Sequence, residues 1–120
     1  MAQFSSDHSK ANTVEVPCRA LSVLMDEANL HRGASFLSLD VEGAESLVLD
    51  TVNASRFSVV YTEVFPMKTD MATEIGAKNR RVDAQLRAGG LHPLGPLFGN
   101  VVYARDPAWS TYAEGWKGSK

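Results

Sequence analysis

Phe36-Leu37-Ser38-Leu39-Asp40-Val41-Glu42-Gly43-Ala44-Glu45 reads as a buried strand that ends in a carboxylate, turns at a glycine and opens a helix with further carboxylates. In an open parallel α/β sheet, ligands bind in the crevice beyond the carboxyl ends of the strands. A strand that delivers Asp40 and Glu42 to that edge is therefore a candidate site as well as a core element.

Outward from this stretch the pattern alternates strand and helix. Residues 1–12 are polar and without periodicity, and read as a tail. Residues 13–16 form a short strand-like run stopped by Pro17, which cannot donate to a ladder. Leu21, Leu24, Met25 and Ala28 recur at helical spacing with Ser22 as N-cap, and the helix ends near Leu30. After the strand at residues 36–41, Ala44, Leu47, Val48 and Val52 give one face of a helix. Residues 58–65 (SVVYTEVF) are rich in β-branched and aromatic side chains and form a second strong strand, closed by Pro66. Met71, Ile75, Val82 and Leu86 share one side of a longer helix, which Gly89-Gly90 terminates. Residues 91–98 and 101–105 are two closing strands turned at Gly99-Asn100. Strand, helix, strand, helix and hairpin predict parallel pairing of the two strong strands through a crossover, with an antiparallel strand at the end.

Composition narrows the function classes. One hundred and twenty residues make one domain with a single core. A net charge of -2 gives no global attraction to nucleic acid or anionic membrane. The single cysteine, Cys18, allows no internal disulfide and stands beside no zinc-ligand cluster. No apolar run approaches the roughly 20 residues of a membrane span, and the first ten residues lack the apolar stretch of a secretory signal. The expected setting is the cytoplasm.

The stretch FLSLDVEGAESLVL resembles the signature of the FkbM family of S-adenosylmethionine-dependent methyltransferases. VEVPCRALSVLMDEANL resembles the segment these proteins carry before the signature strand. VVYTEVF resembles their next strand, and RVDAQLRAGGLHPLGPLFGNVVYARD their last helix and closing hairpin. The resemblance covers residues 13–106, leaves 107–120 as an aromatic tail, and matches the C-terminal half of the catalytic domain. It implies an α/β fold with part of a Rossmann-like sheet, mostly parallel with a closing antiparallel hairpin and helices on both faces. It also implies S-adenosylmethionine as cofactor and methyl transfer to a hydroxyl of a small molecule or sugar. Asp40, Glu42 and Glu63 are then the catalytic candidates, and Asp40 and Gly43 the cofactor-binding ones. Family members carry an earlier half with a glycine-bearing loop that cradles the methionine part of the cofactor, and nothing before Thr13 supplies it. The expectation is an incomplete cofactor site, served by self-association or by a separate N-terminal half.

The carboxylates also have structural readings. Asp40 can cap the following helix, and Glu42 and Glu45 can complement the positive end of its dipole. Gly43 relieves crowding at the strand-to-helix turn. Asp40 and Glu63, at the ends of neighbouring parallel strands, converge on one rim and can orient a hydroxyl, act as general base or hold a divalent cation. A metal-binding module is the least favoured of these, and no metal ligands are assigned. The alternative to an enzyme is a non-catalytic remnant acting through its exposed sheet edge. His8, His31 and His92 lack metal-site spacing. Lys68, Lys78, Arg80 and Arg81 read as the solvated face of the long helix. Asn53-Ala54-Ser55 is a sequon that matters only in a secreted protein. Trp109, Tyr112 and Trp116 share a helical face.

Overall fold

The computed structural model describes residues 13–64 and 73–105. The 1–12 and 107–120 tails, with His8, Pro66, Lys68, Met71 and the aromatic stripe, lie outside the described residues. Elements follow in the order α1 (Leu21–Glu27), β1 (Ala34–Leu39), α2 (Glu45–Leu49), β2 (Phe57–Thr62), α3 (Glu74–Ala88), β3 (His92–Leu97) and β4 (Asn100–Ala104), with a short 3-10 turn at Ala54–Arg56 before β2. Among the described residues, no helix is long and apolar enough to cross a membrane.

The four strands form one sheet in the order β1-β2-β4-β3. β1 and β2 pair in parallel, with Leu37 opposite Val60 and Leu39 opposite Thr62. β4 then runs antiparallel to both β2 and β3. The sheet is mixed rather than mostly parallel, because the closing strand inserts between β2 and β3 and turns two of the three pairings antiparallel. β1, β2 and β3 nevertheless share one direction.

One face of the sheet carries Leu37, Leu39, Val60, Thr62, Val101 and Tyr103 by register and alternation. These residues join Met25, Leu49, Val82, Leu86 and Leu91 in the core, except that Thr62 brings a buried hydroxyl and Leu37 is half-buried. α3 covers this face, and Tyr103 on β4 donates its hydroxyl to Asp83 Oδ1 on α3 at 2.7 Å. Burial and then the Asp83 carboxylate push the Tyr103 phenol far above its ordinary value, so it remains a donor. Tyr103→Phe is expected to lower unfolding free energy by about 1–2 kcal/mol, read from urea denaturation.

α2 lies beside α3, where Gln85 Nε2 donates to Ser46 O at 3.1 Å and to Asp50 Oδ1 at 2.7 Å. Among the described residues the opposite face is open at β1. Phe36 is 57% exposed, Ser38 is exposed, and Val59, Tyr61 and Val102 are only half-buried.

Several sequence expectations shift when the chain folds. Residues 13–16 are no strand, and Val14 and Val16 stand exposed. Ser22 is inside α1 and does not cap it; Ala20 holds that position. Thr51 supplies the acceptors instead, its Oγ1 taking the Leu21 N–H at 3.0 Å and its carbonyl the Ser22 N–H at 3.4 Å. α2 buries Glu45, Ser46 and Leu49 and leaves Leu47 exposed. α3 turns Gly76, Asn79, Val82 and Leu86 inward and leaves Ile75 exposed. Its N-cap is Thr73, whose hydroxyl accepts the Gly76 N–H at 3.0 Å. The hairpin turns on Phe98-Gly99, both with positive φ, while Asn100 already pairs with Leu97. A two-residue loop of that handedness matches the twist of the flanking strands.

Candidate carboxylate site at the sheet rim

Parallel registry builds the site. Leu39 and Thr62 pair at the ends of β1 and β2, so the residues that follow them, Asp40 and Glu63, leave the sheet side by side. The chain turns back into α2 through Glu42 at φ 51° and Gly43 at φ 103°. That turn brings Glu45 underneath. Oxygens of Asp40, Glu45 and Glu63 all lie within 4.8 Å of one another. Asp40 is exposed, Glu63 half-buried and Glu45 fully buried.

Glu45 organises the rim. Its Oε1 accepts the N–H groups of Val41 and Gly43, each at 3.2 Å. Its Oε2 has no aligned hydrogen bond but faces Lys78 Nζ on α3 at 3.2 Å, an ion pair across the two helices. Burial pushes the Glu45 carboxyl up, while the backbone N–H groups and Lys78 pull it down. The pull prevails, and the group sits below the ordinary carboxylate range.

The expected site residues divide accordingly. Asp40 and Glu63 are brought together. Glu42 is not: it is exposed, lies outside the group of three, and holds a left-handed φ that costs a side chain about 1–2 kcal/mol. Asp40 does not cap α2, whose N-cap is Ala44 without a side-chain bond. Gly43 is required for its φ rather than for space, since an added Cβ would meet only Lys78 Nζ at 3.9 Å. Sequence reasoning missed the central roles of Glu45 and Lys78. The signal was present: Glu45, Leu49 and Val52 fall at i, i+4 and i+7, one stripe of a helix, and a carboxylate in a buried stripe needs a cation. Lys78, four residues before the buried Val82, stands on the matching stripe of α3.

Two exposed or half-buried carboxylates beside an ionised, lysine-paired third can accept a proton or hydrogen bonds from a hydroxyl. They also attract positive charge. The donor set suits a divalent cation only in part, because three carboxylates fall short of a full oxygen shell and Lys78 already neutralises one. A cavity of about 600 Å³ lined by Val64, Asn79, Asp83, Arg87 and Tyr103, among others, contains none of the three carboxylates. Of its charged groups, Arg87 Nε donates to Asp83 Oδ2 at 2.8 Å. The rim carboxylates therefore lie outside this hollow.

The family model for the methyltransferase FkbM domain matches residues 1–90, a span that takes in Asp40, Glu42, Gly43, Glu45, Glu63 and Lys78 and stops before the closing hairpin. Neither the curated proteins nor the solved structures give a match. Three quarters of the sequence, including every rim carboxylate, thus carries one family's pattern, and the chain belongs to the FkbM methyltransferase family.

Proposed function

We propose that the rim is the acceptor side of an S-adenosylmethionine-dependent O-methyltransferase site, acting on a hydroxyl of a small molecule or sugar. The observation that carries this reading is the convergence of the Asp40 and Glu63 carboxylates over a fixed, ionised Glu45. A substrate hydroxyl donates to one carboxylate and is held by the other. The carboxylate that accepts this hydrogen bond would take up the hydroxyl proton as the oxygen is methylated. Lys78 stays on Glu45, keeping that carboxylate from competing for the proton.

The cofactor would supply the electrophilic methyl group, and the described residues fit only part of it. The acidic rim suits a sulfonium and the hydroxyls of a ribose, and Gly43 leaves backbone open there. Among the described glycines none forms a loop that would cradle the methionyl carboxylate: Gly33 and Gly89 are packed against the chain's own backbone, and Gly95 and Gly99 belong to the hairpin. The methionine end is therefore assigned to none of the described residues. A cytoplasmic setting accords with the exposed, unpaired Cys18.

Calorimetric titration with S-adenosylhomocysteine, followed by transfer of a labelled methyl group to polyhydroxylated acceptors, tests the reading. Saturable one-to-one binding is expected. Asp40→Asn should lower kcat about a hundredfold, the low end for loss of a general base because Glu63 remains. Its far-ultraviolet circular dichroism and Tm should stay near those of the parent, since Asp40 is exposed. Full activity in Asp40→Asn and Glu63→Gln alike would sink the assignment.

A further inference from the structure

The hollow beside the rim has chemistry of its own, opposite in sign to the rim's. Val64, Ala84, Pro93 and Val101 give it apolar walls, and Val64 and Val101 are themselves buried. Its charged side chains are Arg80, Asp83 and Arg87, two guanidiniums against one carboxylate. Both Asp83 oxygens are already engaged: Oδ1 accepts the Tyr103 hydroxyl at 2.7 Å, and Oδ2 accepts the Arg87 Nε–H at 2.8 Å. Arg87 uses only Nε for that bond. Its two Nη groups have no hydrogen-bond partner among the described residues, and its side chain is half exposed.

Rim and hollow share a border along the chain. Glu63 stands at the rim, and the next residue, Val64, lines the hollow. Lys78 faces Glu45 at the rim, and the next residue, Asn79, lines the hollow. Arg87 Nε is held at Asp83. Asp83 lies five residues beyond Lys78 on α3, about 8 Å of helix rise. An acidic rim and an apolar-walled hollow of net positive charge therefore lie end to end.

We propose that the hollow is the second subsite of the acceptor, and that the acceptor is a small hydroxy acid. Such a molecule carries a hydroxyl at one end, an apolar body, and a carboxylate about 8 Å from the hydroxyl. The hydroxyl meets Asp40 and Glu63, the body lies on Val64 and Val101, and the carboxylate takes the Arg87 Nη donors in a charge-assisted bond. Charge sets the direction, because a carboxylate placed at the rim would meet three others. The assignment narrows the acceptor of the methyl-transfer reading and rests on it.

Titration of the full chain with hydroxyphenylpropionate and with its neutral amide, both without cofactor, tests the subsite. The readout is the methyl resonances of Val64, Ala84 and Val101. The acid should bind saturably, shift those resonances and bind about tenfold tighter than the amide, the margin of a charged over a neutral hydrogen bond. Arg87→Gln should abolish that preference and leave the Kd of the amide unchanged. Ala84→Leu should weaken both ligands by filling the hollow. Arg87 and Ala84 are exposed, so both variants should keep the circular dichroism of the parent. No saturable binding, equal affinity for acid and amide, or a preference that survives Arg87→Gln overturns the proposal. Binding at these residues with no methyl transfer to the bound acid would sink the transfer reading alone and leave the anion-binding hollow in place.

Discussion

Glu45→Ala is expected to lower the free energy of unfolding by about 3–5 kcal/mol, enough to leave a chain of this size marginal or unfolded. Three losses coincide at this one position. The Val41 and Gly43 N–H groups lose the carboxylate oxygen that accepts both of them at 3.2 Å. Lys78, only 21% exposed at its side chain, loses its counter-charge. A fully buried side chain is replaced by a void. Glu45→Gln should cost less, about 1–2 kcal/mol, because its carbonyl still accepts the backbone donors while the ion pair is lost. Urea denaturation at neutral pH distinguishes the two, and equal costs would show that the charge carries the whole effect and the backbone contacts and filled volume none. The same residue sets an acid limit. Its folded-state value lies below the ordinary 4.5, so the unfolded chain binds the proton more readily. The stabilisation is fully present above 4.5 and is lost as pH falls through the lower folded value. The parent should therefore lose more stability than Glu45→Gln between neutral pH and about pH 3.

Gly33→Ala should be comparably damaging, at about 2–5 kcal/mol. Gly33 has φ 104°, and an added Cβ would sit 2.1 Å from the Arg56 carbonyl oxygen. That oxygen is backbone, so strand β1 or the turn before β2 must move. The surrounding lock is tight: Arg56 Nη2 donates to Asp26 Oδ1 at 2.8 Å and to Leu30 O at 2.7 Å, tying the end of α1 to the start of β2. Gly43→Ala is the matched control. Its φ is 103°, nearly identical, yet nothing but the Lys78 ammonium lies within 4 Å of the added carbon. It should cost only the backbone term, about 1–2 kcal/mol. The difference between the two substitutions in urea measures the clash at Gly33, a term of about 1–3 kcal/mol. Equal costs would mean that the turn yields freely.

The strands Ala34–Leu39 and Phe57–Thr62 were legible, though read to end later than they do, because β-branched and aromatic side chains concentrate there, and their parallel pairing follows from the helix between them. The convergence of Asp40 and Glu63 was legible for the same reason, since neighbouring parallel strands end on one rim. The mixed character of the sheet was not, because a hairpin in the sequence does not say that its second strand will insert beside β2. The inward faces of α2 and α3 escaped a reading that counts only apolar residues. Glu45 and Asn79 took buried positions, and Leu47 and Ile75 were turned out. The Glu45–Lys78 pair joins elements separated by a whole strand, so each residue in isolation looked like an ordinary charge on a helix. Ser22 failed as a cap because Thr51, distant in sequence, supplied the acceptors instead.

The insertion of β4 between β2 and β3 also dictates an order of assembly. Val60 finds its β4 partner, Tyr103, 43 residues further along the chain, and that closure must be achieved before the central strand is satisfied on both sides. The β3–β4 hairpin is local and its two-residue turn can close in microseconds. The slow event is then the capture of a preformed hairpin by the bare edge of β2. During synthesis Val59, Val60 and Tyr61 wait with one edge unpaired until the last strand emerges, a window in which they can recruit other nascent chains. A ribosome-stalled chain ending before residue 100 should therefore be protease-sensitive throughout β2, and become resistant in one step once β4 is released.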